Sequence, residues 1–203
     1  ISPYFINIGE LNKGKAISWL GYFYAKKIIE NLNSMDFNII FGPSYKGIPI
    51  SLAACIALQR DFNKNVNYCY DRKEEKTHGA ETNSILSMVP EKNSKIIIVD
   101  DVFTSGKTKV DAINKIREIA PDATFLACVI AVDRMEKDEN NNNAVKYFES
   151  ETNIRVISLT NILEIFSYME EHKKITENEL ESFNLYRKQY GAWMLIKQST
   201  SII

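Results

Sequence analysis

The chain has little with which to grip a nucleic acid, cross a membrane or cross-link itself. Its 25 Lys and Arg against 26 Asp and Glu leave a net charge of −1 over 203 residues. No bulk positive field therefore exists to hold a polyanion, and any anion site has to be built locally. Cysteine is scarce: Cys55, Cys69 and Cys128 are odd in number, widely spaced and set in apolar segments. That excludes a disulfide framework and a metal-ligand spacing, and fits reduced thiols in the cytoplasm. The longest apolar stretch, near Ile48 to Leu58, is too short to span a bilayer. No secretory signal, internal repeat or interior linker is visible. What is there is ordinary for a globular chain, 45% apolar and 25% charged. The expectation is one domain over residues 1–203, with a tail at 191–203 whose role is open.

One stretch organises the rest, residues 95–108: Lys-Ile-Ile-Ile-Val-Asp-Asp-Val-Phe-Thr-Ser-Gly-Lys-Thr. Ile96, Ile97, Ile98 and Val99 read as a strand buried on both faces, as in parallel sheets. The strand is expected to stop at Asp100 and Asp101, where it meets a crevice. Thr104, Ser105, Gly106 and Thr108 then make a hydroxyl-rich turn, and a helical period follows with Val110, Ile113 and Ile116 on one face. Gly106 allows a tight turn, N–H groups converge, and a helix N-terminus adds positive partial charge. Gly106-Lys107-Thr108 suggests a triphosphate loop, but that motif needs glycine at position 101, where Asp101 stands. A ligand with a phosphate at one end and sugar hydroxyls at the other fits better. The turn holds the phosphate and the carboxylates accept from the hydroxyls. A plain capping turn explains one acid and one hydroxyl, not two acids and three hydroxyls around a glycine.

The remaining elements alternate. Residues 14–32 keep a helical period, 37–41 form a short buried strand, and a loop from Gly42 to Gly47 leads into a helix near Ile48 and Pro49. This repeats the strand–loop–helix of 95–108, so Tyr45 and Lys46 are expected at the same sheet edge as the acids. A solvated loop lysine is the alternative for Lys46. Strand 66–70 leads into residues 71–79, which hold seven titratable side chains and no apolar one. They form either an ordinary solvated loop or a lid, with Arg72, Lys73, Lys76 and His78 as donors to an anion. Strand 124–132 ends at Asp133-Arg134. Residues 138–143 are an asparagine-rich surface insertion. A strand at 154–159 and helices at 161–169 and 177–190 complete an α/β sheet with one core.

The 95–108 stretch resembles the phosphoribosyl-diphosphate motif of the type I phosphoribosyltransferases. Ser2-Pro3-Tyr4-Phe5, Gly42-Pro43-x-Tyr45-Lys46-Gly47-Ile48-Pro49 and Arg72-Lys73-Glu74-x-Lys76-x-His78-Gly79 narrow the resemblance to the orotate phosphoribosyltransferases, over residues 2 to about 190. The resemblance implies an α/β fold, mainly a parallel sheet flanked by helices, with a small hood from the N-terminal segment. It implies that Tyr45, Lys46, Arg72, Lys73, Lys76, His78 and Asp100, Asp101, Val102, Phe103, Thr104, Ser105, Gly106, Lys107 and Thr108 bind phosphoribosyl diphosphate. Orotate would meet Phe5, Ile6, Thr104 and Arg134, with Arg134 on its carboxylate. Asp100, Asp101, Lys73, Lys76 and His78 would be the catalytic set, and Mg²⁺ would arrive with the substrate, without a protein metal site.

Lid residues of this family close across a homodimer interface, so a homodimer with shared sites is expected. No membrane or nucleic acid is expected as a partner. A separate orotidylate decarboxylase could associate, since none of the chain reads as a decarboxylase domain. The family also has a basic segment before Ser-Pro-Tyr-Phe, so residues are expected to precede Ile1. Ile6 stands where relatives often have phenylalanine, and Ala80-Glu81-Thr82 replaces a glycine-rich hinge, which should stiffen the loop. Two alternatives compete: a regulator that senses phosphoribosyl diphosphate, which would want a basic face, and a purine phosphoribosyltransferase, which Arg72 to Gly79 and Arg134 do not suit.

Overall fold

The computed structural model describes residues 2–32, 35–73, 84–103 and 106–192. The protein is built on a six-stranded sheet in the order β3-β2-β1-β4-β5-β6. The strands are β1 (Ile39–Phe41), β2 (Asn67–Asp71), β3 (Ile85–Ser87), β4 (Lys95–Val102), β5 (Thr124–Asp133) and β6 (Arg155–Asn161). All neighbours are parallel except β3, which runs antiparallel to β2 at the edge. The helices are α1 (Gly14–Leu32), α2 (Gly47–Phe62), α3 (Lys107–Ile119), α4 (Ala144–Thr152), α5 (Ile162–Glu171) and α6 (Glu177–Tyr190).

β4 shows why the sheet holds. Ile96, Ile97, Ile98 and Val99 are all fully buried. Side chains alternate across a strand. Ile97 and Val99 therefore join the core under α1 and α2, while Ile96 and Ile98 join the one under α3 and α4. Each such side chain contributes about 1.5–3 kcal/mol. Among the described residues no helix is long and apolar enough to cross a membrane.

Three features differ from the sequence-based expectation. β4 does not stop at the acids but runs through Asp100 and Asp101 to Val102, because β5 continues the ladder, pairing Asp100 with Ile130 and Val102 with Val132. β3 was not foreseen; three residues are too few to show a period. Nor was α4, where the asparagine run is no idle insertion. The Asn143 side chain accepts from Lys146 N and starts the helix, which then buries Phe148.

The hood is real. Tyr4 packs edge-on against Phe166 at 5.7 Å, Phe183 at 5.9 Å and Tyr186 at 5.9 Å, and Ile6 joins the same cluster. Capping boxes at Asn161 and Thr176 set the starts of α5 and α6, the helices that receive the segment.

Candidate active site

The chain leaves β1 toward β2 on one side, and β4 continues toward β5 on the other. The carboxyl ends of β1 and β4 therefore flank the switch point of the sheet, where open α/β sheets leave a crevice. The loop after β1 doubles back tightly there. Gly42 N donates to Cys69 O at 2.9 Å and Gly47 N to Pro43 O at 2.9 Å, and a Cβ on Gly42 would run into the Gly47 carbonyl. This presents Tyr45 and Lys46 at the sheet edge, both exposed.

Asp101 projects to the α2 side, with its Oδ2 atom 2.7 Å from Lys46 Nζ. The contact is an ion pair without hydrogen-bond alignment, so this buried oxygen has no directional partner. A cavity of about 200 Å³ opens beside the pair, walled by Ile8, Ile17, Leu20 and Ile50. Asp100, one step along the strand, points to the opposite face. Its Oδ2 accepts from Lys109 Nζ at 2.6 Å. The acidic pair is thus not one two-pronged ligand: each carboxylate has its own lysine.

Gly106 supports the turn into α3. Its φ is +74°, and a Cβ there would lie 2.8 Å from Phe103 Cζ. Phe103 is 3% exposed and meets the Phe148 ring at 5.3 Å. Its side chain is core, so its part in binding phosphoribosyl diphosphate would fall to its backbone. Val102 is half-buried, while Lys107 and Thr108 stand exposed in the first turn of α3. Thr104, Ser105, Lys76 and His78 lie outside the described residues.

A second cluster fixes the start of the charged loop, and the sequence offered no signal for it. Asp71, at the end of β2, accepts from Ser44 N at 2.7 Å and from Lys115 Nζ at 3.1 Å. Ser44 Oγ also donates to the Asp71 carbonyl, and Lys115 Nζ to the Arg72 carbonyl at 3.1 Å. One α3 lysine thereby ties the β1 loop to the root of residues 72–79. Lys73 Nζ sits 4.8 Å over the Tyr45 ring of its own chain, so these two expected ligands meet.

Arg134 follows β5. Asp133 Oδ1 accepts from Met135 N at 2.7 Å, a turn that aims the arginine back under the hood; burial raises the Asp133 carboxyl. Arg134 Nη2 donates to Glu136 Oε1 at 2.8 Å, which also accepts from Tyr4 OH at 2.8 Å and Tyr186 OH at 3.1 Å. The guanidinium lies 5.2 Å from the Tyr4 ring centre. Its Nε is buried with no partner. Burial opposes the arginine's charge, but the Glu136 carboxylate prevails and holds the guanidinium above its ordinary value. Phe5 is 81% exposed, free to cover a planar ligand, whereas Ile6 is packed inward. The thiols offer no nucleophile: burial pushes Cys55 and Cys128 up to about 12.

A largely parallel sheet with an acidic strand end and a glycine turn into a helix beside its switch point is the arrangement expected of a phosphoribosyltransferase. In agreement, the phosphoribosyl transferase domain model matches residues 7–164. Orotate phosphoribosyltransferase of Alteromonas mediterranea is 37% identical over 191 residues, 94% of this chain and 86% of its own length. That of Buchnera aphidicola subsp. Baizongia pistaciae is 41% identical over 174 residues, 86% of this chain and 82% of its own. The crystal structure of Francisella tularensis orotate phosphoribosyltransferase superposes with a TM-score of 0.75 at 34% identity, covering 94% of this chain and 88% of that one. The chain belongs to the orotate phosphoribosyltransferase family.

Proposed function

We propose that the protein transfers the phosphoribosyl group from phosphoribosyl diphosphate to N1 of orotate, giving orotidine 5′-monophosphate and diphosphate. The observation that carries this is the placement of Arg134 and Asp101 at one sheet edge. Arg134 Nε is buried without a hydrogen-bond partner and would take an acceptor such as the orotate carboxylate, while Asp101 Oδ2, held only by its ion pair to Lys46, would accept from ribose hydroxyls once that lysine moves. A purine lacks the carboxylate, and a net charge of −1 gives no bulk positive field to hold a nucleic acid.

The chemistry follows from the charges. Breaking the C1′–oxygen bond leaves positive charge on ribose and negative charge on diphosphate. Asp101 places a carboxylate near the sugar, and Lys46, released from Asp101, can follow the diphosphate. Arg72 and Lys73, with Lys76 and His78, would stabilise the departing anion, and the turn at 104–108 would hold the 5′-phosphate. Orotate N1 attacks the opposite face while the loop excludes water. Among the described residues no cluster of three or more His, Cys, Asp or Glu could hold a metal, and both acids already face lysines. We propose that Mg²⁺, if carried in with phosphoribosyl diphosphate, would supply positive charge to the leaving group, with no protein ligand required among the described residues. The product's carboxylate would next be a decarboxylase substrate, whether or not that enzyme associates.

The test is the loss of orotate absorbance with phosphoribosyl diphosphate and Mg²⁺, with uracil and purine bases as controls. Turnover of a purine but not of orotate would sink the proposal.

Two further outcomes are expected. Lys115→Met removes the tie between α3, Ser44 and Arg72, so the KM for phosphoribosyl diphosphate should rise several-fold with the orotate KM unchanged. A fall in Tm with both KM values intact would mark Lys115 as structural only. The homodimer predicts complementation. The shared-lid reading covers Lys73, Lys76 and His78. Mixing inactive Lys76→Ala and Asp101→Asn chains should restore roughly a quarter of wild-type activity after random subunit exchange. No recovery, with exchange confirmed independently, would place the lid over its own site.

A further inference from the structure

An ion pair lies beneath the β4–α3 turn, and no step above uses its cation. Lys109 is 3% exposed. Its Nζ donates to Asp100 Oδ2 at 2.6 Å and to the Val102 carbonyl at 3.1 Å, and sits 5.0 Å from the Phe103 ring centre. The side chain thus reaches from the first turn of α3 back to the end of β4, bridging both ends of the phosphate turn. Burying a lysine costs several kcal/mol unless it is paired, so this geometry is tightly specified. Asp100 in turn accepts from Asp101 N through its other oxygen at 3.0 Å. Lysine, first carboxylate and the backbone of the second carboxylate form one chain of contacts.

We propose that Lys109 is a positioning residue for phosphoribosyl transfer: it aims the Asp100 carboxylate, and through Asp100 it presets the backbone of Asp101. The inference rests on the phosphoribosyl-transfer reading of the site.

The groups around Asp100 show why the lysine is needed. On β4, Asp101 repels its charge. From α1, Tyr24 OH donates to the Asp100 backbone carbonyl at 2.6 Å and leaves the carboxylate untouched. From β5, Cys128 offers only a neutral thiol, pushed up to about 12. From α3, Lys109 is the cation paired with it. Burial raises the Asp100 carboxyl above the usual carboxylate range, and Lys109 works against that rise. Without the lysine the carboxyl rises further. The ionised fraction at neutral pH then falls, and the acceptor for Asp101 N weakens with it.

The test compares wild type with Lys109→Met, which keeps an apolar stem without charge, and Lys109→Arg, which keeps the charge. Rates with phosphoribosyl diphosphate and orotate are measured from mildly acidic to mildly alkaline pH. For Lys109→Met, kcat/KM for phosphoribosyl diphosphate should fall several-fold at neutral pH and recover as pH rises, its acid limb displaced upward. The orotate KM should hold, and Lys109→Arg should return the limb toward wild type. A Met variant whose pH profile parallels wild type, or which loses both substrates equally, overturns the proposal. If Lys109→Met does not fold, the Asp100→Asn/Lys109→Met double variant decides. It should be slow at every pH, and a wild-type rate would show that the pair is dispensable. Carboxyl carbon NMR of Asp100 gives a readout without turnover: it should titrate higher in Lys109→Met than in wild type. Should wild type transfer nothing to orotate, the functional reading fails by itself, and the NMR titration still judges Lys109.

Discussion

Replacing Asp101 by asparagine is expected to lower kcat by roughly tenfold or more while the protein keeps its fold. The change preserves shape at the end of β4, where Asp101 is 6% exposed. It removes only the charge that faces Lys46 and the space beyond. Lys46 is half-exposed, so losing its partner costs little; exposed and half-exposed pairs are worth about 0–1 kcal/mol. The strand stays laddered to β5 on either side of the substitution. Thermal stability should therefore move little while the rate falls, because an oxocarbenium-like ribose loses its nearest carboxylate. The readouts are kcat under saturating substrates and the thermal midpoint. A chain that unfolds more easily, yet turns over normally per folded molecule, would show that Asp101 serves the turn and not the reaction.

Arg134→Ala should raise the orotate KM by roughly thirtyfold or more and leave the KM for phosphoribosyl diphosphate nearly unchanged. Truncating one partner of a buried, hydrogen-bonded charge pair costs about 2–5 kcal/mol. Here the second partner would be the orotate carboxylate. The variant should fold, because Glu136 keeps the two tyrosine hydroxyls, from Tyr4 and Tyr186, that already donate to it. Arg134→Lys should fall between, since it keeps a charge but not the planar fork that can serve Glu136 and a ligand together. Steady-state kinetics with each substrate varied in turn separates the outcomes. Equal losses for both substrates would mark Arg134 as a strut for the hood.

How far the site could be read in advance depended on the kind of residue. Asp101 and Gly106 stood out as an acid ending a buried strand and a glycine turn, Lys46 could equally have been a solvated loop lysine, and Arg134 was singled out only by the family resemblance. Phe103 stands inside the motif, and that its ring belongs to the core was decided only by Phe148 on the unforeseen α4. Lys109 and Lys115 carried no signal, since a lysine on a helix reads as solvated unless something distant is known to meet it.

The sequence by itself determined the order of the long elements, because their periods are written in single segments. Helices 14–32 and 177–190 and the central strand were legible in that way. It also pointed to the reaction class, because the motif at 95–108 that carries the family resemblance is contiguous along the chain. Tertiary structure alone decided which carboxylate meets which cation. Asp100 and Asp101 are neighbours in sequence, yet the two-residue period of the strand sends them to opposite faces, one to Lys109 and the other to Lys46. It alone decided, too, that Asp71, Ser44 and Lys115 converge at the root of the charged loop. Those contacts join three segments that only the parallel sheet brings to one edge, and no local pattern records a partner that arrives by packing.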